Sequence, residues 1–337
     1  MVTAMLLLQQ CSPLDNKRSV FHYVQLRRNV LGTSFLPTLL RLSLQERFWS
    51  RKINKVGGIP CVNVQMTKSG QSVAVLTRKQ YSEVSDVATS LMHHLNKAGF
   101  RVYTNISLKS GSVEYVESIK DMKRLKPNLL VSIGGDGTLL WVIREMDGET
   151  PILGVNVGGR GVLAEVKPEK VSQAVEWLRK GEYVLEERFR LVASVGLTTL
   201  PPALNEVYMT RLSQIRTSTF TITVNGDTIK QRMDGLIVST PTGSTGHSLS
   251  FGSPFIHPAV QALLLMPIAP LNRLPSIILP VGPVEVVSNF DIALVIDGQE
   301  EMVVHAQDKV LIKKHAQSAR FVRFKGQGLQ QLVNLGF

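Results

Sequence analysis

A change of apolar period part-way along the chain narrows the fold more than any other feature. Ser72–Thr77 reads as a strand. Val84, Val87, Ala88, Leu91, Met92 and Leu95 then recur at i, i+3, i+4, i+7, i+8 and i+11, the stripe of an amphipathic helix, and Gly99 stands where a helix ends. Phe100–Thr104 reads as a second strand and the polar stretch after it as helical. Asn128–Ile133 is a buried strand, Thr138–Met146 a helix, Ile152–Asn156 a strand and Glu169–Arg179 a helix. Strand and helix alternate, which predicts an α/β domain with a mostly parallel sheet over 72–186. Beyond about Glu186 the helical period is gone. Arg190–Val195, Glu206–Thr210, Thr217–Val224, Leu236–Ser239, Ile277–Leu279, Val284–Val287, Ala293–Ile296 and Lys309–Ile312 are short β-type runs, and Asn225-Gly226 is a strong hairpin signal. They predict an antiparallel all-β, sandwich-like domain over 187–312. Residues 313–337 read as a C-terminal tail returning to the α/β domain, with a helix over Leu329–Phe337.

Residues 1–71 are different. They hold ten Lys/Arg against Asp15 and Glu46, which is +8 of the chain's net +12. The main body is therefore only mildly basic, which argues against a nucleic-acid partner. The segment reads as a basic, disordered N-terminal extension; an organelle transit segment is the alternative. Met66 offers an internal start. Both cysteines, Cys11 and Cys61, lie here, so no disulfide framework or cysteine metal site supports the rest. No apolar run approaches the ~18 residues that span a bilayer, and Met5–Leu8 is too short for a secretory signal. A cytoplasmic protein with no membrane partner is expected.

The sharpest chemical signal is Gly134-Gly135-Asp136-Gly137-Thr138, directly after a buried strand and opening a helix. Glycines let a ligand approach the backbone, and the free N–H groups of a helix start attract phosphate. A carboxylate among phosphates repels them unless it engages a cation or takes a proton from a hydroxyl, and phosphoryl transfer needs both. An ordinary turn with an Asp N-cap is the plainer alternative.

This pentapeptide resembles a signature shared by NAD kinases, lipid kinases of the diacylglycerol and sphingosine type, and phosphofructokinases. No Gly-Lys dipeptide exists in the chain, so a P-loop is excluded. Asn205-Glu206, Met233-Asp234-Gly235-Leu236 leading into Ser239-Thr240-Pro241-Thr242-Gly243-Ser244-Thr245, and Asp297-Gly298-Gln299 resemble further NAD kinase motifs, as does Gly154-Val155-Asn156 with Gly161-Val162-Leu163. The matches follow the family's order over about two-thirds of the chain. The resemblance implies phosphorylation of the 2′-hydroxyl of the adenosine ribose of NAD, giving NADP. It implies that Asp136 contacts the ribose and acts as general base, that Gly137 lies against the dinucleotide, and that Asn205 and Glu206 bind its adenine and ribose end. Arg216, Arg232 and Asp234 match positions lining the nucleotide site. Thr245, Gly246, His247, Ser248, Leu249 and Ser250 match the turn that wraps the adenosine, Ala269 a lining position, and Gln299 the residue that closes the site. ATP or polyphosphate as donor, a divalent cation such as Mg²⁺, and a homodimer or homotetramer are also implied, with the site between the two domains.

Two departures stand out. His247 replaces an aromatic residue that stacks on a base, and Leu271-Asn272-Arg273-Leu274-Pro275 is shorter than the family's loop and lacks its histidine. Two other functions stay open here: a lipid kinase, opposed by the second signature, and a non-catalytic nucleotide-sensing module. Among decoys, Gly159–Ala164 fits a relaxed dinucleotide fingerprint but reads as a structural turn. His93-His94 reads as a solvated helix face with no metal, and Met92 and Met266 as core fillers.

Overall fold

Short buried runs flanked by amphipathic helices pack as parallel strands because helices cover both faces of the sheet. A computed structural model describes residues 51–56, 59–64, 70–78, 82–107, 113–146, 148–159 and 161–324. The first half contains β1 (Arg51–Val56), β2 (Ile59–Val64), β3 (Ser72–Leu76), α1 (Ser82–Lys97), β4 (Arg101–Thr104), β5 (Glu114–Tyr115), α2 (Ile119–Arg124), β6 (Leu129–Gly134), α3 (Asp136–Glu145), β7 (Ile152–Asn156), α4 (Val171–Lys180) and β8 (Val184–Arg188). The second half contains β9 (Leu191–Val195), β10 (Thr198–Thr199), β11 (Glu206–Arg211), β12 (Ser218–Val224), β13 (Asp227–Met233), β14 (Gly235–Ser239), β15 (Ala262–Ile268), β16 (Ile277–Pro280), β17 (Val284–Ser288), β18 (Ile292–Ile296), β19 (Glu300–Val304), β20 (Lys309–Lys314) and β21 (Ala319–Arg323).

Among the described residues the first sheet runs β1-β2-β8-β21-β7-β6-β3-β4-β5. The pairs from β21 and β7 through to β5 are parallel, and β1, β2, β8 and β21 pair antiparallel. Alternate residues of each strand face opposite cores. Val73, Val75, Val131 and Val155 pack with Leu91, Leu95 and Leu178 of α1 and α4. Ala74, Leu76, Leu130 and Ile152 pack with Met122, Leu139 and Ile143 of α2 and α3. Gly181, in the left-handed region at φ 71°, ends α4.

Two further sheets, β10-β9-β20-β17-β12-β13 and β16-β15-β14-β11-β18-β19, are antiparallel throughout. They share a core that includes Phe220, Ile222, Val286, Val207, Met209, Leu236 and Leu294. This is the expected sandwich.

Several boundaries differ from the sequence reading. The segment expected to be extension contributes a hairpin to the first sheet, with Val56 opposite Ile59 and Val62 opposite Leu185. Residues 1–50 lie outside the described residues. The α/β sheet extends through β8, so the division falls after Arg188. The return to the first domain is made by a strand, β21, inserted between β8 and β7, and Leu329–Phe337 lies outside the described residues. Among the described residues the polar stretch after Thr104 forms the short β5 and the six-residue helix α2.

Candidate active site

β6 ends at Gly134, whose φ of 149° and whose missing Cβ, which would stand 2.5 Å from Thr138 Oγ1, let the chain turn directly into α3. Asp136 sits in the first turn of that helix. Its Oδ1 accepts the N–H groups of Leu163 (3.0 Å) and Ala164 (3.2 Å), and its Oδ2 accepts that of Val162 (2.9 Å). A carboxylate offers about four lone-pair positions, so one acceptor position on Oδ2 stays open. The donor loop is folded back on β7: the Val166 N–H bonds the Gly154 carbonyl, the Asn156 N–H bonds the Val166 carbonyl, and the Asn156 side chain bonds Gly158 and Gly159. The decoy glycine run is thus a turn, and its last residues hold the carboxylate of the first motif.

A second carboxylate repeats the arrangement in the β sandwich. Asp297 and Gly298 both have positive φ, 48° and 64°, and make the tight turn between β18 and β19. Asp297 accepts the N–H groups of Leu204 (2.7 Å), Asn205 (2.8 Å) and Glu206 (3.0 Å). Those bonds fix the start of β11, leaving Asn205 Oδ1 and Glu206 Oε2 buried without a hydrogen-bond partner. A Cβ on Gly246 would lie 3.3 Å from Glu206 Oε2 and 3.4 Å from Asn205 Nδ2, so glycine keeps this pocket open. Burial pushes Glu206 up to about 8, and repulsion from Asp297 adds to the rise. Burial also raises Asp297, against the three N–H donors and the Arg144 charge. Buried acceptors left unpaired are costly, and a polar ligand with complementary groups relieves that cost.

Gln299 joins the two halves. Its Nε2 donates to the Gly137 carbonyl at 2.8 Å, and its Oε1 accepts from Arg144 Nη1 at 2.8 Å. Arg144 also pairs with Glu145 and Glu300, each at 3.2 Å. Gly137 and Gln299, far apart in sequence, therefore meet beside Asp136.

The second signature leaves β14 as two 3₁₀ turns, Gly243–Thr245 and His247–Phe251. Most of its hydroxyls serve the loop itself. Thr240 Oγ1 donates to the Leu204 carbonyl (2.6 Å), Ser244 Oγ to that of Pro241 (2.7 Å), Thr245 Oγ1 to that of Thr242 (3.0 Å) and Ser253 Oγ to that of Ser244 (3.0 Å). A hydroxyl-rich run suggests ligand bonding from sequence; here it mainly satisfies backbone that would otherwise be buried unpaired. Ser248 Oγ is the exception, buried with no partner. His247 is exposed and meets Tyr208 and Phe251 edge-on, at 5.2 and 5.1 Å between ring centres. Leu249 is half-buried and Ser250 exposed.

Four residues stand apart from this group. Asp234 pairs with Arg211, with Nε–Oδ1 at 2.7 Å. Arg232 is exposed on β13, and Arg216 lies over the Phe290 ring at 5.7 Å. Ala269, just after β15, has a positive φ of 46°. Among the described residues none of the four hydrogen-bonds or ion-pairs with Asp136, Gly137, Asn205, Glu206 or Gln299.

Residues 71–183 match the model of the ATP-NAD kinase N-terminal domain and residues 204–324 that of the ATP-NAD kinase C-terminal domain. The chain belongs to the ATP-NAD kinase family. The NAD kinase of Methanothermobacter thermautotrophicus is 32% identical over 258 residues, covering 74% of this chain and 91% of the relative. That of Methanopyrus kandleri is 33% identical over 268 residues, covering 78% and 96%. Yeast NADH kinase, solved in complex with NADH, has the same fold at a TM-score of 0.76 and 18% identity, covering 85% of this chain and 94% of that one. An NAD kinase from Archaeoglobus fulgidus, solved in complex with ATP, matches at 0.64 and 24% identity, covering 78% and 99%. Two of the motifs read from the sequence, on the turns after β6 and after β18, are tied together by Gln299.

Proposed function

We infer that the chain transfers the γ-phosphoryl group of ATP to the 2′-hydroxyl of the adenosine ribose of NAD, producing NADP and ADP. The observation that carries this reading, beside family membership, is the Asp136 carboxylate, held by three N–H groups with one acceptor position open. The 2′-oxygen attacks the γ-phosphorus and forms a new P–O bond. The bond from that phosphorus to the β–γ bridging oxygen breaks, and ADP leaves with the electron pair. The proton of the 2′-hydroxyl passes to Asp136 Oδ2, a general-base role. Asn205, Glu206 and Ser248 bring unpaired buried polar atoms to the adenosine. Thr245, Gly246, His247, Leu249 and Ser250 wrap it, Gly137 lies against the dinucleotide, and Gln299 closes over it. Arg216, Arg232, Asp234 and Ala269 form an outer part of the nucleotide surface.

Among the described residues no group of three His, Cys, Asp or Glu side chains could hold a metal ion. A divalent cation such as Mg²⁺, carried on the ATP phosphates as is usual for Mg²⁺, would screen the charge that builds up during transfer. The enzyme works as a homodimer or homotetramer in the cytoplasm. No helix among the described residues is long and apolar enough to cross a membrane. A lipid acceptor is disfavoured by the second signature.

A coupled assay tests this reading. Purified protein with Mg·ATP should convert NAD to a product that an NADP-specific dehydrogenase reduces. Parallel reactions with NADH, polyphosphate and diacylglycerol define acceptor and donor. Tight NAD binding without turnover identifies a sensing module; a phosphorylated lipid identifies a lipid kinase.

A further inference from the structure

Three arginines, Arg188, Arg190 and Arg323, head the largest fully buried side chains among the described residues. A buried guanidinium is costly unless paired and hydrogen-bonded, and apolar residues would fill the same space more cheaply. Two of the three converge on one carboxylate. Arg323 Nε donates to Glu186 Oε2 at 2.8 Å, and Arg188 Nη2 donates to Glu186 Oε1 and Oε2 at 3.0 and 3.2 Å. Both guanidinium groups lie over the Phe321 ring, at 5.2 Å for Arg188 and 4.8 Å for Arg323. Burial lowers Arg188 to about 10, which leaves it cationic at neutral pH; Asp136 is among the charges that hold it up. Burial works to raise Glu186, but the two arginines outweigh it and keep it below the usual carboxylate value.

The outward bonds of this cluster lead to the two motifs. Arg323 Nη1 donates to the Leu163 carbonyl at 2.8 Å, and the N–H of Leu163 donates to Asp136 Oδ1 at 3.0 Å. Arg323 also stands 3.6 Å from Glu165 at the end of the same loop. Arg188 Nη1 reaches Thr242 Oγ1, in the second signature, at 3.5 Å. Arg323 is delivered by β21, the strand that returns from the sandwich into the middle of the first sheet.

We propose that Arg323, Glu186 and Arg188 are positioning residues for the transfer, locking the 162–164 loop, and through it the Asp136 carboxylate, in register with the second signature at Thr242. The proposal rests on the reading of Asp136 as the group that receives the hydroxyl proton. Misplacement of a reacting group by about 1 Å can cost ~10²-fold in rate, so a rigid ionic anchor under the loop has a direct catalytic consequence.

The test is a double-mutant cycle. Arg323→Lys keeps the buried charge but cannot make both directed bonds. It is compared in the wild-type and Asp136→Asn backgrounds, beside Arg190→Lys, an equally buried arginine whose Nε bonds the Gln317 carbonyl. In the wild-type background Arg323→Lys should lower kcat by ~10–100-fold with little change in KM for NAD. In the Asp136→Asn background it should add almost nothing, because the group it positions is already lost. Arg190→Lys should lower Tm and leave kcat unchanged. The proposal is overturned if Arg323→Lys keeps wild-type kcat, or lowers it by the same factor in both backgrounds. Near-wild-type kcat in Asp136→Asn alone sinks the reading of Asp136 instead. If Arg323→Lys does not fold, Arg188→Lys carries the same comparison from the Thr242 end. Failure of both to fold assigns the cluster to stability and rejects the positioning role.

Discussion

Glu206 should make the unliganded protein lose stability as pH rises, and Glu206→Gln should abolish that loss. In an unfolded chain this carboxyl titrates near its ordinary value of 4.5, and in the folded protein burial and Asp297 hold it near 8. Below 4.5 both states carry the proton and the group contributes nothing. Between the two values the folded state keeps a proton that the unfolded state has released, so unfolding is increasingly favoured with rising pH. Above 8 the full penalty applies. One pKa unit corresponds to about 1.4 kcal/mol, so the gap amounts to on the order of 5 kcal/mol. That corresponds to on the order of 10 °C in Tm for a domain of this size class. The assay is thermal unfolding without nucleotide, from pH 5 to pH 9, on wild type and Glu206→Gln. The two should melt close together at pH 5, diverge progressively as the pH rises towards 8, and keep a constant gap above it, with the variant the more stable. The variant should also be the poorer kinase, because the penalty belongs to a group kept for substrate. Parallel Tm curves across the range would refute the argument, since Glu206 would then ionise alike in both states.

Three further outcomes follow from the geometry. Asp136→Asn should reduce kcat by ~10²–10⁴-fold and also lower Tm, because its amide NH₂ would face backbone N–H donors that now meet an oxygen; near-wild-type turnover contradicts the general-base role. His247→Ala should raise KM for NAD more than it changes kcat, whereas His247→Tyr should be tolerated because the ring is exposed between Tyr208 and Phe251; a destabilised Tyr variant beside an Ala variant with normal KM rules out stacking on a base. A chain starting at Met66 should fold and keep its kinase activity, since among the described residues it loses only the edge hairpin β1–β2, but with a lower Tm than the full chain; an insoluble product would show that the removed segment is needed for folding.

Periodicity made the framework legible. The helical stripe from Val84 to Leu95 is buried in α1 as expected, and Val131 and Leu153 of the parallel strands sit in the same core. What escaped was pairing that only distant chain could supply. Arg188 is buried because β21, over a hundred residues later, packs alongside it and supplies Phe321 and Arg323. The chemical residues were legible as a set of motifs, but their partners were not. Sequence pairs Asp136 with no particular loop, and nothing in Gly161-Val162-Leu163-Ala164 announces that three of its N–H groups meet that carboxylate. Likewise the hydroxyls around Thr240 look available in the sequence and are spent on Leu204, Pro241 and neighbouring carbonyls in the fold. Asn205 and Glu206 carry the opposite lesson, because only the fold reveals that their side-chain oxygens are buried and unpaired.

On the proposed function, the site around Asp136 phosphorylates NAD at the adenosine 2′-position. The most direct test of that function is to incubate the purified protein with NAD and ATP labelled at the γ-phosphate, and to locate the label in the isolated dinucleotide. One labelled phosphate per product molecule is expected, on the 2′-oxygen of the adenosine ribose, in a product accepted by an NADP-specific dehydrogenase, with formation all but abolished by Asp136→Asn. An unlabelled dinucleotide, or label on any other hydroxyl, would contradict it.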